Sequence, residues 1–312
     1  MILAADSPAL EIRALTRRFG EREAVSGLDL VVPRGEMFGL VGPDGAGKST
    51  AIRLLCGILK PDAGEGRVLG FDLVRDAGRI KSRIGYLSQN FTLYGDLTVD
   101  ENIEFFADLH GVRGFAERRN ELLEFTRLTP FRRRLAQALS GGMKKKLALA
   151  TTLIHRPDLL FLDEPSTGVD PVSRGEFWNI LSGVLNEGMT IVMTTPYLDE
   201  AERCGRIGLM HNGRLFMSGT PDEVKAAMPG RVYEVTCPAP APAYRALRRR
   251  WSSSNVVLYG DHLRLSFREG EPVLREALAL LEGEGYGPVG HREVAPSLED
   301  AFVALLGEGN PS

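Results

Sequence analysis

Met37-Phe38-Gly39-Leu40-Val41-Gly42-Pro43-Asp44-Gly45-Ala46-Gly47-Lys48-Ser49-Thr50 decides the fold. Met37 to Val41 reads as a short buried strand running into a glycine-rich loop. Gly42, Gly45 and Gly47 free the backbone to curl its N–H groups around phosphate oxygens at the start of a helix. In that pattern Lys48 reaches the β- and γ-phosphates and Ser49 is placed to ligate Mg²⁺. Lys48 to Leu59 supplies the helix: Ile52, Leu55 and Leu59 share one face, and Pro61 closes it. Strand, glycine loop and helix therefore stand in the order a nucleotide-phosphate site requires.

Residues 10 to 41 alternate or cluster apolar residues between turn signals, and from about Phe91 to Ile154 the spacing becomes helical. Val99 to Leu109, Phe115 to Leu128 and Leu147 to Ile154 repeat apolar residues three and four apart, which predicts a helical insert over about 91–154. Strand signals return at Leu159 to Leu162, Thr190 to Thr194 and Ile207 to Met210, with a helical pattern over Pro171 to Leu185. The expectation is an α/β domain over 1–229 with a largely parallel core sheet. Past Met228 the texture changes. Cys237 to Ala243, alternating Pro and Ala, reads as a semi-rigid segment ahead of short strands at Val256 to Tyr259 and Leu263 to Phe267, so a small α+β domain is expected over 230–312.

Two further stretches carry chemistry. Leu159-Leu160-Phe161-Leu162-Asp163-Glu164 is an apolar strand ending in two carboxylates, suited to hold Mg²⁺ through Asp163 and to polarise water through Glu164. An acidic turn after a core strand is the plainer reading, and the upstream glycine loop weighs against it. Leu139-Ser140-Gly141-Gly142-Met143 opens a helix over Lys144 to Ile154, with Ser140 as N-cap and the glycines leaving amides exposed for an anion.

Composition bounds the rest. At 312 residues, 43% apolar and 25% charged, the chain is an ordinary globular protein with one large lobe and a small companion. A net charge of -3 gives no field for nucleic acid, and the basic runs Arg132 to Arg134, Lys144 to Lys146 and Arg248 to Arg250 read as solvated helix faces. Cys56, Cys204 and Cys237 have neither disulfide-framework nor zinc spacing, as expected of a reduced cytosolic protein. No run approaches the ~18 to 20 apolar residues of a membrane span, and Met1 to Arg13 lacks the basic and apolar regions of an export signal. Any membrane role is expected to be borrowed from a partner.

With its motifs in this order, the chain resembles the ABC ATPase family over residues 10 to 228: a P-loop NTPase core with a helical subdomain. The resemblance implies ATP and Mg²⁺ as ligands, a second ATPase subunit (the same chain or another) as partner, and a separate integral-membrane permease. It implies that Ser140 to Met143 touch the γ-phosphate of ATP held by the opposite subunit. Phe19 stands where the family stacks an aromatic on adenine, although a core Phe is the commoner fate. Gln89, in Tyr86-Leu87-Ser88-Gln89, matches the loop that contacts Mg²⁺ and the transporter, and Asp170 matches the loop that crosses the dimer interface. Asp170 also suits an N-cap for the Pro171 helix. The ending Pro296-Ser297-Leu298-Glu299-Asp300-Ala301-Phe302 is similar to the C-terminal extension of exporter-type subunits, whose permease is a separate polypeptide, and this favours export of drugs, lipids or polysaccharides over nutrient import. The resemblance as a whole implies a cytoplasmic protein held at the inner face of the cell membrane by its permease.

Two positions depart from that pattern. Where the family has a histidine after Thr194-Thr195, this chain has Pro196, with neither a titratable ring nor a backbone N–H. Tyr197 leaves the backbone one position later and does not replace it. Losing one donor to developing charge costs ~10²- to 10³-fold in rate, so slow turnover with intact ATP binding is expected, in pairing with a more active subunit. Met143 stands where the family has glutamine, a smaller loss, since Ser140 and backbone amides carry the phosphate contacts.

Overall fold

The computed structural model describes residues 7–90 and 93–309. The first elements are β1 (Leu10–Phe19), β2 (Arg22–Val32), β3 (Met37–Val41) and α1 (Lys48–Leu55), then β4 (Ala63–Val68), β5 (Phe71–Asp72), α2 (Ala77–Lys81) and β6 (Ile84–Leu87). Three helices follow, α3 (Val99–Leu109), α4 (Ala116–Phe125) and α5 (Gly141–Leu153). Strands return as β7 (Leu159–Asp163), α6 (Pro171–Asn186), β8 (Thr190–Thr195), α7 (Leu198–Ala201), β9 (Arg206–His211) and β10 (Arg214–Gly219). The last stretch holds α8 (Pro221–Ala226), β11 (Arg231–Thr236), α9 (Pro240–Leu247), β12 (Val256–Tyr259), β13 (His262–Phe267), α10 (Glu271–Gly283), β14 (Gly290–Val294) and α11 (Leu298–Gly309).

The chain forms two compact units that divide at Ser218/Gly219, eleven residues before the 229/230 boundary expected from composition. The difference is α8, which contacts α11. In the first unit the core sheet has the order β10-β9-β3-β8-β7-β6, and the β3–β8, β3–β9, β7–β8 and β6–β7 pairs are parallel. Every residue of β3, β7 and β8 is buried, the mark of parallel strands covered on both faces. A second sheet, β2-β1-β4-β5, is antiparallel, and its inward residues Leu10, Ile12, Leu15 and Val25 join Phe38, Ile52, Leu55 and Phe161 in one core. The three-helix insert is present as α3, α4 and α5, with α5 contacting both α3 and α6. Phe91, expected to begin it, lies outside the described residues. No helix among the described residues is long and apolar enough to cross a membrane.

Three sequence expectations are corrected. The helix after the glycine loop ends at Leu55, not Leu59. Gly57, at φ +66°, donates to Leu54 O while Ile58 N–H turns back to Arg53 O at 2.9 Å, a left-handed stop that satisfies the last carbonyls before Pro61 is reached. The Pro/Ala segment becomes the start of α9, because Pro240 and Pro242 fall in a first turn whose N–H groups have no intrahelical acceptor. Lys145 and Lys146, read as part of a solvated face, are buried, since their helix is covered on more than one side.

In the second unit the antiparallel sheet β12-β13-β11-β14 puts Tyr233, Val235, Leu263, Leu265 and Phe267 into a core with Leu247, Leu274, Ala277 and Leu281 of α9 and α10. The Pro296 to Phe302 ending has a plain physical basis. Ser297 and Asp300 bond reciprocally at the start of α11, and Arg264 of β13 pairs with Asp300 at 2.7 Å.

Candidate functional site

The glycine loop joins β3 to α1, and at Gly42 and Gly47 its neighbours leave no room for a side chain. A Cβ on Gly42 would sit 2.1 Å from Met210 O, and one on Gly47, at φ +102°, 2.1 Å from Ala24 O. Ala46 is buried and ties the loop down, donating to Pro43 O at 3.1 Å and accepting from Gly213 N at 2.9 Å. Pro43, Asp44 and Gly45 are exposed, and Ser49 and Thr50 are partly so in the first turn of α1. Gly45 O accepts from Arg22 Nη2 at 3.2 Å, and Arg22 is the cross-strand partner of Phe19, so the β1–β2 turn is tied to the loop. Phe19 is 49% exposed with the Arg17 guanidinium 5.0 Å from its ring; it is not a core residue.

Lys48 is buried, with Nζ 2.9 Å from Gly42 O, 3.0 Å from Pro43 O and 3.2 Å from Glu164 Oε1. Ser49 Oγ donates to Asp163 Oδ1 at 2.8 Å. Gln89, in the turn after β6, donates from Nε2 to Glu164 Oε2 at 2.9 Å. Lys48, Ser49, Gln89, Asp163 and Glu164, drawn from three separate stretches of sequence, thus meet in one place because β3, β7 and β6 end at the same edge of the parallel sheet.

Thr194 belongs to this group and the sequence reading missed it. Its hydroxyl donates to Asp163 Oδ1 at 2.8 Å and accepts from Glu164 N at 3.0 Å. The available signal was a polar Thr-Thr pair closing the apolar strand Thr190 to Met193, in the strand paired with β7 so that Thr194 faces Asp163. Glu164 itself has φ +48°, a conformation costly for a non-glycine residue and held here by its neighbours.

Ser140 makes its own arrangement. Its Oγ accepts from Met143 N at 3.3 Å as N-cap of α5, which starts at Gly141. Gly141 is open to solvent, whereas Gly142 is buried against α6, where a Cβ would meet Ser173 Oγ at 2.3 Å. So one of the two glycines serves packing instead of anion exposure. Asp170 caps α6, with Oδ1 accepting from Ser173 N at 3.0 Å, and this bond holds its carboxyl below the usual aspartate range. Pro196 follows the end of β8 with no ring donor. The adjoining Tyr197 N–H goes to Thr195 Oγ1 at 3.0 Å, and its ring lies 5.4 Å from the Arg174 guanidinium.

Asp163 Oδ2 is buried with no hydrogen-bond partner, while Oδ1 is bonded to Ser49 and Thr194. An unpaired buried carboxylate oxygen beside a serine hydroxyl is a hard-oxygen donor set that fits Mg²⁺. Among the described residues no cluster of three or more His, Cys, Asp or Glu could hold a metal, as suits an ion bound by few protein groups together with substrate phosphates.

A buried strand, a glycine-rich loop at a helix start, and a lysine set between that loop and paired carboxylates define a P-loop NTPase. The ABC transporter family model matches residues 25–167, which take in the glycine loop, Gln89, Ser140 and both carboxylates and stop short of Asp170 and Pro196. The chain belongs to the family of ABC transporter ATP-binding proteins. It is 42% identical over 312 residues to the probable multidrug ABC transporter ATP-binding protein YbhF of Escherichia coli (strain K12), a match covering 97% of this chain and 53% of that one. The chain thus spans about half the length of that relative. It is 36% identical over 311 residues to the daunorubicin/doxorubicin resistance ATP-binding protein DrrA of Streptomyces peucetius, covering 96% and 92%. Among solved structures, the ATP binding subunit of an ABC transporter aligns with TM-score 0.64 and 29% identity over 70% of this chain and 92% of that chain.

Proposed function

We propose that this chain binds and hydrolyses Mg·ATP as the energising subunit of an ABC exporter, paired with a second ATPase subunit and docked on a separate membrane permease at the cytoplasmic face. The observation that carries this reading is the meeting of Lys48, Ser49, Gln89, Asp163 and Glu164 around one glycine loop. Export is supported by two relatives whose names specify multidrug transport and drug resistance.

In this reading the loop amides and Lys48 hold the β- and γ-phosphates, and Phe19 stacks on adenine. Ser49 and Asp163, with Gln89, would hold Mg²⁺, which when bound neutralises phosphate charge. Glu164 orients and polarises the attacking water, steadied by Gln89 and by Thr194 at its backbone N–H. Ser140, Gly141 and Asp170 face the partner subunit's nucleotide. Permease docking is supported by a cleft of about 210 Å³ lined by Ile58, Tyr86, Phe106 and His110, close to exposed Phe105 and Leu109 on α3.

Mg-dependent turnover and ATP binding of the chain beside Lys48→Ala and Glu164→Gln test the proposal. Turnover lost in both variants, with binding kept in Glu164→Gln, is the expected outcome; turnover that survives both removes it. Pro196 favours a second reading in which this site binds ATP but turns over slowly beside a more active subunit. Tight binding with negligible turnover in the unmodified chain selects that one.

A further inference from the structure

Lys145 is a buried cation that the nucleotide site described above does not use. It lies one turn into the helix capped by Ser140, and its Nζ donates to the carbonyl of Thr167 at 2.6 Å. Thr167 in turn folds onto Glu164: its N–H donates to Glu164 O at 3.3 Å and its hydroxyl lies 3.4 Å from Glu164 Oε2. A continuous line of bonds therefore runs from the start of α5 to Glu164, the carboxylate that follows β7.

Placing an ammonium there opposes its solvation, and a single carbonyl is a small return for that loss. Burial pushes Lys145 down to about 8, against the pull of Glu200 and Glu164. A methionine would fill the position without that cost, so the charge points to a role other than stability. Glu164 needs such support, since its left-handed backbone persists only while its surroundings fix it.

We infer that Lys145 is a positioning residue for Glu164: through Thr167 it ties the start of the Ser140 helix to the carboxylate of the same chain. This rests on the reading of Glu164 as the water-polarising group and of Ser140 as facing the partner's nucleotide. On that reading each chain carries a direct connection between the nucleotide it touches in its partner and the one it hydrolyses itself.

The groups facing Lys145 are Glu164 in the loop after β7 and Glu200 of α7, the latter with Arg174 of α6 at 3.9 Å. The neighbouring Lys146 is paired with Glu176 of α6. Losing its proton weakens the grip of Lys145 on the Thr167 carbonyl, so turnover falls as pH rises through about 8.

The experiment measures Mg·ATP turnover against pH, and hydrogen exchange of residues 166–170, in the full chain and in Lys145→Met, Lys145→Arg and Glu164→Gln. Lys145→Met is expected to lose on the order of 10²-fold in kcat with KM for ATP unchanged, the signature of a misplaced group. Its 166–170 amides exchange faster. Lys145→Arg, always charged, keeps most of the turnover and lacks the decline above about pH 8. Unchanged kcat and unchanged exchange in Lys145→Met overturn the inference, as does a loss shared equally by ATP binding and thermal stability. Turnover that survives Glu164→Gln overturns the underlying reading instead, and the exchange data then decide whether Lys145 holds Thr167.

Discussion

At the scale of single residues, the edge of the parallel sheet is crowded with donors, and Pro196 interrupts them. Thr194 and Thr195 both use their hydroxyls, on Asp163 and Glu200 respectively, and the next residue offers nothing. Pro196→His therefore adds a ring where the developing charge lacks a donor, and steady-state turnover is expected to rise, by up to ~10²-fold, with ATP affinity little changed. A variant that folds and binds ATP but turns over no faster shows that position 196 does not limit the reaction. Thr194→Val leaves Glu164 N–H without its acceptor in a buried place. It is expected to lower stability by roughly 1–3 kcal/mol, measured by denaturant unfolding.

At the scale of elements, α5 and α6 approach closely because Gly142 has no side chain. Gly142→Ala sets a methyl against Ser173 Oγ at 2.3 Å, so the helices must part or Ser173 must move. A loss of about 1–3 kcal/mol is expected, and adding Ser173→Gly recovers part of it. The start of α6 responds to pH through Asp170, whose folded pKa lies below its ordinary 3.8. Its contribution is complete above that value and disappears as pH falls through the lower folded one. The melting-temperature gap between the wild type and Asp170→Asn accordingly narrows on acidification below pH 3.8. These elements also show what was legible. The strand–loop–helix order around Lys48 and the apolar run into Asp163 could be read because period and punctuation agree. β4 could not, since its Ala63 to Val68 stretch is glycine-rich and mostly exposed. Nor could the meeting of Gln89 with Glu164, which depends on the order in which parallel strands lie and not on spacing along the chain.

At the scale of the whole molecule, each unit has its own core, and that of the second is closed by Tyr233, Leu265, Phe267 and Leu281. Residues 219–312 expressed alone are expected to unfold in a single cooperative transition by circular dichroism, with residues 1–218 retaining ATP binding. A non-cooperative melt of the smaller piece would show that its core needs the rest of the chain. The three thiols divide along the same line. Cys56 and Cys204 are buried in the first unit, where burial drives the former well above its usual value and the latter up to about 12, while Cys237 is partly exposed in the second. A maleimide probe added to the native chain therefore marks one position per molecule without prior mutagenesis. A dye pair introduced this way reports on the spacing of two copies as they bind and release nucleotide.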